Sequence, residues 1–236
     1  METNYVGSVG YSVAESSPEV RAAFIRKTYA HLALAILAFI GLEAGLIVSG
    51  IGDVVAQTML GGRWSWLIVL GAFIGVSSLA NWWANSDTSK PMQYLGLGLY
   101  VVAFSIISLP MLYIATKMAG PSVIASAGIL TFMLFLSLSL IVLLSRKDFS
   151  FLGPILAIGG FGALGFIIVS TIFGFSLGNV FSFVMVLFAA GSILYNTSNV
   201  LHVYRPNQHV AASLSLFASI ALLFWYILRI FMSSRN

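Results

Sequence analysis

Seven long stretches of the chain carry almost no charge, at residues 29–48, 64–83, 92–115, 121–144, 151–173, 180–203 and 210–231. Each is close to the ~20 residues an α-helix needs to cross ~30 Å of hydrocarbon. Backbone groups in lipid must be satisfied within a helix or a closed barrel, and barrel strands are alternating segments of ~10 residues. The pattern therefore predicts an all-α integral membrane protein of seven transmembrane helices. Residues 1–27 include Glu2, Glu15, Glu19, Arg21, Arg26 and Lys27 and no long apolar run, so they are not read as a cleavable signal peptide. The expected layout is a short, mobile, polar N-terminal tail over 1–27 and a seven-helix domain over 28–232.

Composition fits a lipid solvent. Hydrophobic residues make up 59% of the 236 and charged residues 8%, whereas a soluble domain carries about 25% charged residues. The chain has no cysteine, which excludes disulfides and thiolate metal sites. Its Lys and Arg residues are scattered over loops and ends, a distribution that does not suit nucleic acid. Their sidedness is more informative. Arg21, Arg26, Lys27, Lys90, Arg146, Lys147 and Arg205 fall at one end of the predicted bundle, and Arg63, Lys117, Arg229 and Arg235 at the other. The positive-inside rule then places the N-terminus in the cytoplasm of a cell (inner) membrane protein and, after seven crossings, the C-terminus outside. A last segment that dips in and returns would strengthen the bias and stays open as an alternative.

Small residues one turn apart, Gly41 with Gly45, Gly71 with Gly75 and Gly159 with Ala163, predict close helix packing, within the same chain first and across a dimer interface as the alternative. Residues 160–165 match GxGxxG formally, but no strand precedes them and no acidic residue follows at the required distance, so a dinucleotide site is excluded. Trp64, Trp66, Trp82 and Trp83 sit at the two ends of the second stretch as interfacial anchors.

The last two stretches carry a polar pattern. Ser192, Asn196 and Asn199 share a helix face, and Ser215, Ser219, Tyr226 and Arg229 form a second stripe. Asn196 and Ser219 each lie roughly 10 to 14 Å from the shared loop at 1.5 Å per residue, so antiparallel neighbours bring them to one depth. Either interhelical hydrogen bonding or a polar path through the bundle accounts for the pattern. One carboxyl, that of Glu43, lies within the first stretch near its outer end. An ionised group at the bilayer centre costs at least ~2.5 to 3.5 kcal/mol, which makes Glu43 a candidate cation attractor or proton acceptor; a side chain reaching the interface is the other reading. The histidines, His31, His202 and His209, are isolated in sequence and suit interfacial or capping roles better than metal binding. Asp148 suits a helix cap or a local pair. No Ser/His/Asp or HExxH arrangement is visible, so neither an enzyme, a metal site nor a cofactor is expected.

Arg146 to Gly153 reads RKDFSFLG, Gly191 to His202 reads GSILYNTSNVLH, and Ser213 to Phe231 reads SLSLFASIALLFWYILRIF. From about residue 22 onward the chain closely resembles the Bax inhibitor family, in particular its bacterial YccA-like branch. The resemblance implies a seven-helix bundle with six helices around a central, relatively polar last helix. It also implies a calcium-permeable leak gated by pH or, for the YccA-like branch, a modulator of the membrane protease FtsH, which the polar N-terminus could engage. Members that act as pH-gated leaks carry two aspartates at positions corresponding to Asn196 and Ser219. Neither residue here titrates, so the expectation is a calcium or other cation leak with altered or absent acid-pair gating. Its ion-path candidates are Asn196, Ser219, Glu43, Asn199, Ser215 and Arg229.

Overall fold

A computed structural model describes residues 12–86 and 89–234. Among them are eight α-helices and no strand: α1 (Pro18–Val48), α2 (Ile51–Leu60), α3 (Arg63–Ala84), α4 (Lys90–Ile114), α5 (Pro121–Ser145), α6 (Leu152–Phe173), α7 (Gly178–His202) and α8 (His209–Ser233). All but α2 are long and apolar enough to cross a membrane. The chain is thus an all-α, multi-pass membrane bundle. The final segment is one unbroken helix of 25 residues, about 37 Å long at 1.5 Å per residue, so the version that dips and returns is not the form adopted.

The boundary expected at residue 27 is not a structural one. Helix α1 begins at Pro18, where the Ser17 hydroxyl accepts from the Val20 amide and proline at the first turn sacrifices no hydrogen bond. Its polar residues Glu19, Arg26 and Lys27 simply occupy the exposed side of that helix. Before it, a short 3-10 turn at Val13–Glu15 is docked rather than free. Val13 is wholly buried, and its amide donates to the Tyr204 carbonyl at 2.8 Å. The Arg21 guanidinium donates to the Ala14 carbonyl at 2.6 Å. Residues 1–11 of the expected tail lie outside the described residues.

The sequence pattern also missed α2, which is too short to span. Gly50, at φ 77°, ends α1 and turns the chain; this left-handed conformation favours glycine. The Tyr113 hydroxyl donates to the Asp53 carboxylate, tying α2 to the end of α4. Beyond Ile114, α4 runs on through a π-helical turn at Ala115–Ala119.

Helix α8 is the axis of the bundle, with α1, α3, α4, α5 and α7 packed around it. Of its most apolar window 67% is buried, against 61% for α4 and 6% for α6. The last helix is therefore central, α4 is nearly as enclosed, and α6 packs chiefly on α7 at the periphery. Phe104 of α4 joins these layers: its ring lies 5.4 Å from Phe39, 6.2 Å from Phe73, 6.1 Å from Phe217 and 6.5 Å from Trp225.

The small-residue pairs behave differently from one another. Gly41, Gly45, Gly71 and Gly75 are exposed, and a Cβ on any of them would meet nothing within 4 Å. Their apolar, solvent-avoiding helices bury other faces instead. Gly159 does pack closely, with the Phe188 ring 3.1 Å from where its Cβ would stand. The tightest approach is at Gly96, which the sequence reading passed over. A Cβ there would lie 2.5 Å from the Ala80 carbonyl oxygen and 2.6 Å from the Ala84 nitrogen.

Candidate functional site

Two polar places flank α8 on different sides. The first is a seam between α7 and α8. Asn196 Nδ2 donates to Ser219 Oγ at 2.8 Å and lies 3.4 Å from the Ser215 carbonyl oxygen. Ser219 Oγ in turn donates to that same carbonyl at 3.1 Å. Ser215 Oγ is 2.9 Å from the Tyr204 hydroxyl, which extends the seam to the turn between the two helices. These contacts form because the turn at 203–208 is short, so α7 and α8 run antiparallel with equal depths opposed. Ser219 and Asn199 are both buried, and the Asn199 carbonyl accepts the Val203 and Tyr204 amides that end α7. Arg229, also a sequence candidate, is partly exposed near the far end of α8 and lies away from the Asn196–Ser219 contact along the helix. Tyr204 lies outside the spans, and burial holds its hydroxyl above the ordinary phenol value of 10.0 despite the Ser215 hydrogen bond. It stays a neutral hydroxyl near pH 7, as the amide and hydroxyls beside it do.

The second place is Glu43. The residue is 5% exposed, and its Oε1 accepts a hydrogen bond from Ser108 of α4. Oε2 is buried and has no partner among the described residues. Ser108 Oγ also lies 2.6 Å from the Phe104 carbonyl of its own helix, so its single proton is shared between two acceptors, two residues before Pro110 interrupts the ladder of α4. Glu43 lines a cavity of about 520 Å³ between α1 and α5, with α8 as its floor. Ile40 and Phe132 on its rim are more than half exposed, so the cavity opens sideways, on the face of the bundle that meets lipid. Among the described residues no hydrogen bond links Glu43 or Ser108 to the Asn196–Ser219 seam. The structure thus brings Asn196, Ser219 and Ser215 together and leaves Glu43 apart from them.

At the loop end, the structure assembles a contact that sequence spacing concealed. Ser198 Oγ accepts the Phe149 amide at 2.9 Å and lies 3.3 Å from Asp148 Oδ1 and 3.4 Å from His202 Nδ1. Three residue types familiar from hydrolases therefore meet, which the sequence reading did not expect, because the 146–151 loop folds back onto α7. Their wiring is not that of an activated nucleophile. His202 Nδ1 is 3.0 Å from the Ser198 carbonyl, an acceptor only, so Nδ1 carries its proton there and has no lone pair for Oγ. The carboxylate reaches the hydroxyl rather than the imidazole, and the group clamps the loop. The Ser150 amide, donating to Asp148 at 2.8 Å, leads the contacts that hold the carboxyl below its ordinary value of 3.8, with the Ser150 and Ser198 hydroxyls and the nearby His202 adding to it.

The histidines are not isolated either. His31 and His209 stack edge to face at 4.9 Å, and His31 Nε2 lies 3.1 Å from the Tyr94 hydroxyl. Among the described residues no three His, Cys, Asp or Glu side chains gather as metal ligands would.

Comparison with known proteins finds relatives along nearly the whole chain. The family described as inhibitor of apoptosis-promoting Bax1 matches residues 21–236. An uncharacterized protein of Pseudomonas aeruginosa is 35% identical over 213 residues, covering 88% of this chain and 87% of its own length. Protein LIFEGUARD 4 of Arabidopsis thaliana is 30% identical, covering 94% and 89% respectively. The Golgi anti-apoptotic protein of Vaccinia virus (strain Lister) is 29% identical, covering 94% and 90%.

Proposed function

The chain belongs to the Bax inhibitor family, and on that premise we propose that it is a cation leak pathway, calcium among its ions, whose gate lacks the acid pair and its proton dependence. It sits in the cell membrane with the N-terminus in the cytoplasm and has no catalytic role. The observation that carries this reading is the Asn196–Ser219 hydrogen bond. It stands between the last two helices, where the resemblance implies two aspartates. A pair of carboxyls at that distance shares a proton and changes its interaction with pH; an amide and a hydroxyl keep one hydrogen bond throughout. Glu43, across α8, supplies a buried carboxyl near the outer end of the first span and is assigned the role of attracting cations.

The test is calcium flux into liposomes reconstituted with the purified chain, across pH 5 to 8. The expected result is flux that varies little between pH 5 and 8, and that is lower in Glu43→Gln, which keeps shape and removes charge. Flux absent at every pH overturns the leak. The alternative is then a non-conducting regulatory partner of a membrane protease, tested by co-purification from native membranes. Support for that alternative is narrower than the sequence suggested, because Val13 and Arg21 hold the segment ahead of α1 against the bundle.

A further inference from the structure

The cleft between α1 and α5 has an apolar, aromatic wall that bundle packing leaves unfilled and that attracting cations to Glu43 does not require. Helices α1 and α5 each pack on α8 yet part from one another, and the space between them, about 520 Å³, falls within the range of about 300 to 1,000 Å³ typical of small-molecule sites. Its wall is almost wholly apolar and rich in aromatic rings, with Phe39, Phe132, Phe135, Phe217 and Phe224 among the lining residues. Among the described residues only two lining side chains bear oxygen, Glu43 and Thr131. The Thr131 hydroxyl is already donated to the Ala127 carbonyl at 2.7 Å. Glu43 is 5% exposed, and its Oε2 is buried with no donor reaching it among the described residues.

We propose that this lateral cleft is a binding site for a lipophilic amine, its apolar body lying among the phenylalanines and its amine donating to Glu43 Oε2. Charge complementarity selects this occupant. An acyl chain would fill the apolar wall but leave the carboxyl oxygen unmatched, and an unmatched buried acceptor is costly. A calcium ion requires six to eight oxygen ligands, far more than Glu43 and Thr131 provide. An amine brings donors and no acceptor, forms a charge-assisted hydrogen bond with a carboxylate, and is further favoured by aromatic faces around it. Entry is from the bilayer, between Ile40 and Phe132, where such molecules concentrate.

The site goes beyond the leak reading and is tested without any flux measurement. A photoreactive alkylamine bearing a diazirine in its chain, and the matching alcohol, are applied to the full chain in phosphatidylcholine nanodiscs, and labelled residues are mapped by mass spectrometry. The amine is expected to label 36–47 and 124–132 about tenfold more than the alcohol at equal concentration, and excess unlabelled amine is expected to displace it. Glu43→Gln should bring the amine down to the level of the alcohol. Gly128→Phe, at a position where a new Cβ meets nothing within 4 Å, should fill the cleft and lower labelling by both while leaving Glu43 in place. Equal labelling by amine and alcohol in the parent would mean an acyl-chain groove only and overturns the proposal. So would an amine preference that survives Glu43→Gln, or amine labelling unchanged by Gly128→Phe, which serves as the deciding variant if Glu43→Gln fails to assemble. Loss of flux with labelling intact would sink the leak and leave the site standing; the reverse result would do the opposite.

Discussion

Gly96 of α4 touches the backbone of α3 at Ala80: a Cβ at Gly96 would stand 2.5 Å from the Ala80 carbonyl oxygen. The obstacle is backbone, which cannot rotate away as a side chain can. Gly96→Ala should therefore force α3 and α4 apart and lower stability by the about 1 to 3 kcal/mol typical of overpacking, or more. Gly71→Ala, with open space around it, should leave stability unchanged or slightly raised through helix propensity. Thermal denaturation of both variants in detergent decides the matter; equal behaviour would refute the close approach.

The Asn196–Ser219 contact should be replaceable by the titrating pair it lacks. Asn196→Asp with Ser219→Asp places two carboxyls at hydrogen-bond distance, and such a pair titrates as a unit. Flux should become pH-dependent between pH 5 and 8 in the double variant, with a smaller change in each single one. A double effect equal to the sum of the singles would show that the two positions are uncoupled. Removing the contact by Asn196→Ala should cost only about 0.6 kcal/mol, the average for hydrogen bonds between membrane helices.

Asp148 gives a pH dependence of defined sign. Its folded-state value is held below the ordinary 3.8, first by the Ser150 amide. The clamp on the 146–151 loop is therefore fully present above the ordinary value and is lost as pH falls through the lower folded one. Amide exchange at Ser150 should be protected at pH 5 to 7 and lose protection only as pH falls below the ordinary carboxyl value of 3.8. Asp148→Asn should weaken protection already at pH 7, and protection that is indifferent to both changes would mean the loop is held otherwise.

Orientation is testable because the chain has no cysteine. Ser150 and Asn207 lie at the end of the bundle holding the α5–α6 and α7–α8 connections, and Ser176 and Ser234 at the other; all four are exposed. Single cysteines at Ser176 and Ser234 should react with an impermeant thiol reagent outside intact cells, and those at Ser150 and Asn207 should not. The inverse pattern would reverse the orientation, and protection of Ser234 alone would contradict a crossing α8.

What the sequence determined by itself was the solvent and the number of spans. Lipid leaves the backbone no partner but its own helix, so a run of some twenty apolar residues dictates its structure locally, and the seven stretches needed no tertiary information. Equal distance from a short turn was likewise enough to bring Asn196 and Ser219 face to face. Tertiary structure decided what local pattern leaves undetermined, namely which face of each helix meets another helix and which meets lipid. Both surroundings are apolar, so hydrophobicity does not mark the buried side. The exposed Gly41 and Gly45 and the tightly enclosed Gly96 are alike in sequence for that reason. The docking of Val13 on Tyr204, the folding of Asp148 onto Ser198 and the enclosure of Glu43 beneath a cleft between α1 and α5 all join segments far apart in the chain. Only the packing of helices around α8 brings those segments together.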